Sequence, residues 1–298
     1  MDVLVTCIYN DLYGTPYGGR QNRAAHYRDS LATIAGTGLP IHCFVPAADL
    51  DDQRAHFATC PGQIAFTPLE LHEIPLHARV RQLKSQYPER YGDLAWQERC
   101  VEIMWGKFFM LERVLAAAPQ AERLYWIDAG LANANIISTK YIADDDLRAQ
   151  RLSAVRAAFP PRLFTRIAEF AGDKLLLLRS TTPHHQGIPA VYNARPYADA
   201  NGVVAGLFGG RRAAVADLCA AFRAKLEALL ADDLLYFEES IMAGIYADDP
   251  DRFATFTFDT WFHEGWHCFD PSLINFSNFF DRMLETPPGA RREFPWNT

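Results

Sequence analysis

The chain alternates short apolar runs rich in β-branched and aromatic residues with longer segments whose apolar positions recur every three to four residues. That alternation predicts strands joined by helices in an α/β arrangement. Residues 3–9 form the first apolar run and predict a buried strand at the amino terminus. A helical period over 22–34 stops at Gly36 and Gly38, and residues 39–45 read as a second strand, completing a βαβ unit. Residues 49–57 predict a short helix, 63–68 a third strand, and the charged stretch 72–91 a surface helix and loop. The strongest helical period before the strand ending in Asp128 lies over 96–118, with Val101, Met104, Phe108, Leu111 and Leu115 on one stripe and Lys107 interrupting its apolar centre. Residues 123–131 follow as an apolar run that ends in Asp128, Ala129 and Gly130, the pattern of a buried parallel strand delivering a carboxylate at its carboxyl end.

Farther on, residues 144–159 and 162–171 predict helices separated by Pro160 and Pro161, and 174–178 a strand followed by the polar loop 181–187. Residues 201–210 form a strand that opens and closes on glycine, 211–230 a clean amphipathic helix, the segment from Tyr236 a further helix, and 253–258 a late strand. No repeat, low-complexity tract or linker stands out, so one α/β domain with carboxyl-terminal elaborations is the simplest organisation. Open sheets of this kind bind ligands beyond the carboxyl ends of their strands, at a topological switch point, where this pattern puts Asp128. The plainer use of Asp128 is to close a turn with Gly130.

Composition narrows the class without changing that picture. A hydrophobic content of 49% and a charged content of 22% over 298 residues are those of a globular protein with a sizeable core. The net charge of -7 argues against a nucleic-acid partner, which requires a basic face. No apolar run approaches the roughly 20 residues of a transmembrane helix, and no basic segment precedes an apolar one at the amino terminus, so a cytoplasmic protein is expected. The six cysteines are scattered among apolar neighbours without paired spacing and read as small buried hydrophobes.

Several segments carry chemistry beside a plainer use. The loop over 10–20, with Asn10, Tyr13, Gly14, Tyr17, Gly18, Gly19 and Arg20, suits close approach to a ligand or an ordinary loop, and has neither dinucleotide nor P-loop spacing. Lys107 is either a snorkelling side chain or a cation that reaches the ligand end of the sheet. Gly209 and Gly210 either admit a ligand to the backbone or open the helix that follows. Glu238 and Glu239 start a helix, where the dipole favours carboxylates, and could equally supply a general base. His263, Glu264 and His267 match the zinc-hydrolase spacing, with Glu285 a conceivable third ligand; Gly265, the nearby Pro271 and the preceding strand oppose the sustained helix it needs. A non-catalytic carbohydrate-binding or scaffold protein is the third class.

Taken in order, the amino-terminal strand and loop, Gly106-Lys107-Phe108, Trp126-Ile127-Asp128-Ala129-Gly130, Gly206-Leu207-Phe208-Gly209-Gly210 and Glu238-Glu239-Ser240-Ile241 with Ile245-Tyr246 resemble the bacterial WlaTC/HtrL (YibB-like) glycosyltransferase family. The resemblance covers most of the chain. It implies a GT-A-like (Rossmann-like) mixed, mostly parallel sheet flanked by helices, in a single domain over 1–298 with a nucleotide-binding part at 1–131 and an acceptor-binding, catalytic part at 132–298. It also implies transfer of a sugar from a nucleotide donor, with a UDP-sugar favoured, to a glycan or glycolipid in cell-surface polysaccharide biosynthesis; the glycolipid leaves peripheral membrane contact open. Tyr9, Asn10, Arg20, Lys107, Asp128, Gly130, Gly209 and Gly210 are the implied donor-binding residues, and Glu239, with Glu238 beside it, the catalytic ones. Enzymes of this type hold a manganese or magnesium ion on an Asp-x-Asp pair; here the first position is Asp128 and the second Gly130. Either Asp128 ligates with a late histidine, His267 or His263 by analogy with glycogenin-like enzymes, or it binds the donor sugar or ribose in a metal-free site charged by Lys107 and Arg20.

Overall fold

A computed structural model describes residues 1–9, 23–60, 62–87, 100–133, 162–180, 203–236 and 238–258. Strands β1 (Asp2–Cys7), β2 (Ile41–Val45), β3 (Ile64–Pro68), β4 (Arg123–Ile127), β5 (Leu175–Ser180), β6 (Val203–Arg211) and β7 (Phe253–Phe258) form one sheet in the order β3-β2-β1-β4-β6-β5-β7. Its helices are α1 (Arg23–Ala35), α2 (Leu50–His56), α3 (His77–Gln86), α4 (Cys100–Ala117), α5 (Leu163–Ala171), α6 (Arg212–Ala231) and α7 (Glu238–Asp248). β6 runs against both neighbours, β4 and β5, while the other pairings are parallel. The expected mixed, mostly parallel sheet flanked by helices is therefore present.

The period of two along each strand sorts side chains onto two faces. Val3, Val5, Leu124, Trp126, Leu175, Leu177 and Phe208 enter a core shared with α3, α4, α6 and α7. Leu4, Ile41, Cys43, Tyr125, Ile127, Leu176 and Leu178 enter the opposite core with α1 and α5. Because both faces are covered, β4 and β5 read as nearly continuous apolar runs. The α4 helix is buried well beyond the single expected stripe, through Ile103, Trp105, Phe109, Met110 and Val114. The cause is its position between the sheet and α6, where Phe108 stacks on Phe222 at 3.5 Å and on Phe208 at 5.3 Å. The stretch read as a surface helix is likewise tied inward, since α3 buries Val80 and Leu83.

Gly209 and Gly210 lie within β6, opposite Tyr125 and Leu124, rather than in a turn opening α6. Gly209 has φ +148, and a Cβ there would fall on the Leu124 carbonyl oxygen; a Cβ on Gly210 would stand 2.8 Å from the Lys174 carbonyl oxygen. These two glycines let strands β4, β6 and β5 approach. A Gly209→Ala variant is expected to lose on the order of 3 kcal/mol through overpacking and a strained φ, read as a lowered urea midpoint. An unchanged midpoint would mean that the sheet gives way freely at this point.

The helix expected over 144–159, the loops 10–20 and 181–187, and His263, Glu264, His267 and Glu285 lie outside the described residues.

Candidate functional site

The chain leaves β1 through α1 to β2 and then β3 on one side, and returns through α4 to β4 on the other side of β1. The carboxyl ends of β1 and β4 thus flank the switch point of the sheet, and Asp128 is the first residue beyond β4. Its backbone N–H donates to the Gly206 carbonyl at 2.8 Å, and its own carbonyl accepts from the Leu131 N–H at 2.9 Å. Backbone groups therefore close the turn that includes Gly130, which leaves the carboxylate for other work. The side chain of Asp128 is 44% exposed.

One oxygen of that carboxylate is engaged from below. Oδ1 accepts from the Trp126 indole N–H at 2.7 Å and lies 3.2 Å from the Lys107 Nζ. Among the described residues Oδ2 has no hydrogen-bond partner, and it faces the Cα of Gly206, where a Cβ would stand 3.6 Å away. Trp126 and Asp128 are two apart at a strand end and so share a face, the one covered by α4 and α7.

Lys107 does not snorkel. Its side chain is 7% exposed and spans the core from α4 to the carboxyl edge of the sheet. There Nζ donates to Glu238 Oε1 at 2.9 Å and to the Ala205 carbonyl at 3.1 Å, and it meets Asp128 at 3.2 Å. It also lies 5.7 Å from the centre of the Trp126 ring. Burial by itself would lower the lysine pKa, but the carboxylates of Asp128 and Glu238 outweigh it and hold Lys107 above its ordinary value, as an ammonium. Lys107 thus reaches the carboxyl edge of the sheet as a cation, with two hydrogen bonds and an ion pair directed at protein oxygens.

Glu238 and Glu239 occupy the first turn of α7, and both have tertiary partners beyond the helix dipole. Glu238 is buried, with Oε1 on Lys107 and Oε2 buried without a hydrogen-bond partner among the described residues. Burial pushes its carboxyl up, Lys107 opposes this, and the neighbouring Glu239 and Asp128 add to the rise. A group so enclosed holds Lys107 in place. Glu239 is half-buried and accepts the Ala205 N–H at 3.2 Å. The residue pair therefore divides into an inner carboxylate that holds Lys107 and an outer one nearer solvent.

Of the remaining expected residues, Tyr9 is buried and its hydroxyl donates to the Leu69 carbonyl at 2.9 Å. It packs beneath the end of β1 and does not join the cluster. Gly209 and Gly210 pair with residues three and four positions before Asp128, toward the opposite end of β4, and do not reach the cluster either. Asn10 and Arg20 lie outside the described residues, as does His267. Two participants were not singled out from sequence: Trp126, for which the i,i+2 spacing to Asp128 is the available signal, and Ala205, whose backbone offers N–H to Glu239 and C=O to Lys107. Ala205 had no such signal, because backbone roles leave none in the side chain. Cys7 ends β1 nearby; burial, then the Asp128 charge, push its thiol up, so it stays protonated there.

Among the described residues no three His, Cys, Asp or Glu side chains converge on one point. Asp128 Oδ2, which accepts no hydrogen bond among the described residues, is a hard ligand of the type magnesium and manganese take. None of the helices among the described residues is long and apolar enough to cross a membrane.

No protein-family model matches the chain, and no curated protein matches it. Among solved structures it is similar to the apo form of mouse xyloside xylosyltransferase 1, with 11% identity and a TM-score of 0.47 over 86% of this chain and 85% of that one.

Proposed function

We propose that this protein is a nucleotide-sugar-dependent glycosyltransferase of GT-A type, transferring a sugar from a UDP-sugar to a glycan or glycolipid acceptor in cell-surface polysaccharide biosynthesis, in the cytoplasm. The observation that supports this best is Asp128, a half-exposed carboxylate at the switch point of the sheet whose Oδ2 accepts no hydrogen bond among the described residues. Departure of a nucleoside diphosphate develops negative charge that the site must stabilise. A manganese or magnesium ion held by Asp128 Oδ2, the donor phosphates and water would supply that charge as a Lewis acid, with His267 a further candidate ligand. A cation held in this way would take most of its ligands from substrate and solvent.

Lys107 and Glu238 act behind this surface by fixing Asp128, and Arg20 is the candidate cation for the diphosphate. Glu239 is the proposed general base of an inverting displacement. It accepts the proton of the acceptor hydroxyl while that oxygen bonds to the anomeric carbon and the bond from that carbon to the diphosphate oxygen breaks.

A thermal-shift screen tests the donor half of this reading. UDP and UDP-sugars with manganese are expected to raise the transition of the native protein by several degrees, since a ligand at a hundredfold excess over Kd adds about 2.7 kcal/mol to stability. The same ligands should leave Asp128→Asn unmoved. No shift with any common nucleotide sugar or free nucleoside diphosphate would sink the transferase reading. Donor binding without turnover on any acceptor would favour the non-catalytic carbohydrate-binding protein. The zinc-hydrolase alternative rests wholly on His263, Glu264 and His267, outside the described residues.

A further inference from the structure

The carboxylate of Asp128 is held asymmetrically. Oδ1 accepts the indole N–H of Trp126 at 2.7 Å and forms an ion pair with the Lys107 ammonium at 3.2 Å, whereas Oδ2 has no hydrogen-bond partner among the described residues. Trp126 is buried at 1% exposure and cannot itself reach a ligand. Its ring is fixed by the core on the α4 face, and Lys107 sits over it. An aspartate at the end of a strand otherwise has several rotamers open to it, and the indole hydrogen bond together with the ion pair to Lys107 narrows that choice.

We propose that Trp126 is a positioning residue, which, with Lys107, pins Asp128 through Oδ1 and leaves Oδ2 available to a divalent cation–diphosphate pair. The ligand named here rests on the donor-site reading above; the pinning itself does not. Oδ1 is already engaged by the indole N–H and by the ion pair to Lys107, so Oδ2 is the oxygen left for a ligand. Binding energy is also saved for the ligand, since the rotamer is set before the ligand arrives.

Two measurements on the full chain separate these layers. In a spectrum of protein labelled with nitrogen-15 at tryptophan, Trp126→Phe identifies the Trp126 indole peak among the 6 tryptophans by removing it. Asp128→Ala is then expected to move that peak upfield as the hydrogen bond to a carboxylate is lost. A peak that stays in place overturns the pinning, whatever the protein binds. The second measurement is calorimetric binding of UDP with manganese to the native protein, Trp126→Phe, Asp128→Ala and the double variant. Trp126→Phe should weaken binding by about ten- to a hundredfold, the range set by a hydrogen bond to a charged group, and should have no further effect once Asp128 is alanine. Equal weakening in both backgrounds would mean that Trp126 acts through the fold, and unchanged binding in Trp126→Phe would mean that Lys107 alone suffices; either overturns the inference. Binding of UDP and manganese that ignores Asp128→Ala, with the indole peak shifted as expected, would instead leave the pinning standing and remove the donor-site reading.

Discussion

Glu239→Gln is expected to fold, to bind donor normally, and to turn over about a hundred- to ten-thousandfold more slowly, the range that loss of a general base costs. The substitution keeps the shape of the side chain and an oxygen able to accept the Ala205 N–H, which is 3.2 Å from Oε1. What it removes is the negative oxygen that would take the acceptor proton. A carboxylate that merely caps the first turn of α7 would behave differently, costing about 1 kcal/mol of stability or less with turnover nearly intact. Single-turnover rates alongside thermal melts distinguish the two. Normal turnover with a lowered melting temperature returns Glu239 to a capping role, and retention of anomeric configuration in the product removes the need for such a base.

Lys107→Met should produce the largest loss of stability, about 3–5 kcal/mol, because breaking a buried ion pair leaves an uncompensated charge. Methionine replaces the lysine stem in the core, so the loss falls mainly on the carboxylates that faced Nζ at 2.9 Å from Glu238 and 3.2 Å from Asp128. The loss has a pH signature. Glu238 already has a carboxyl raised by burial, against the opposing pull of Lys107. Without the lysine it rises farther. A carboxyl whose folded pKa exceeds its unfolded value binds protons better in the native state, so stability falls as pH climbs from the unfolded value through the folded one. The deficit of Lys107→Met should therefore be smallest near the ordinary glutamate value of 4.5 and grow toward neutrality. Adding Glu238→Gln should recover most of the loss at neutral pH, since the buried charge is gone. Urea denaturation at acidic and neutral pH reads both effects. A deficit that is flat with pH and not recovered in the double variant would assign the loss to packing of the lysine stem.

Both experiments bear on residues that the sequence marked with differing clarity. Asp128 was legible because an apolar strand ends abruptly in a carboxylate, and Lys107 because a cation breaks the apolar centre of a helix. The roles within the pair Glu238 and Glu239 were not legible, since two adjacent acids at a helix start look alike until the helix is docked. They are 100° apart on α7, so one turns inward to Lys107 and the other toward the amide of Ala205. Gly209 and Gly210 misled for a related reason. Glycine signals that something comes close to the backbone, but not what; here it is the neighbouring strands, through the carbonyls of Leu124 and Lys174. Tyr9 follows the same logic, an amphipathic ring whose polar tip finds a core carbonyl.

The sequence by itself determined the elements of this protein, because strand and helix periods are local: β1 through β4, α5, β5, β6, α6, α7 and β7 all fall where the apolar pattern puts them to within a few residues. It also determined that a carboxylate would stand at the end of the central strand. Only the tertiary structure decided that β6 runs antiparallel between β4 and β5, which brings Ala205 and Gly206 beside Asp128 and sends Gly209 and Gly210 away from it. Only it decided that Lys107, 131 positions before Glu238, would meet that residue across the core. Strand direction and long-range charge pairing depend on how covered faces are packed together, and no local periodicity encodes that choice.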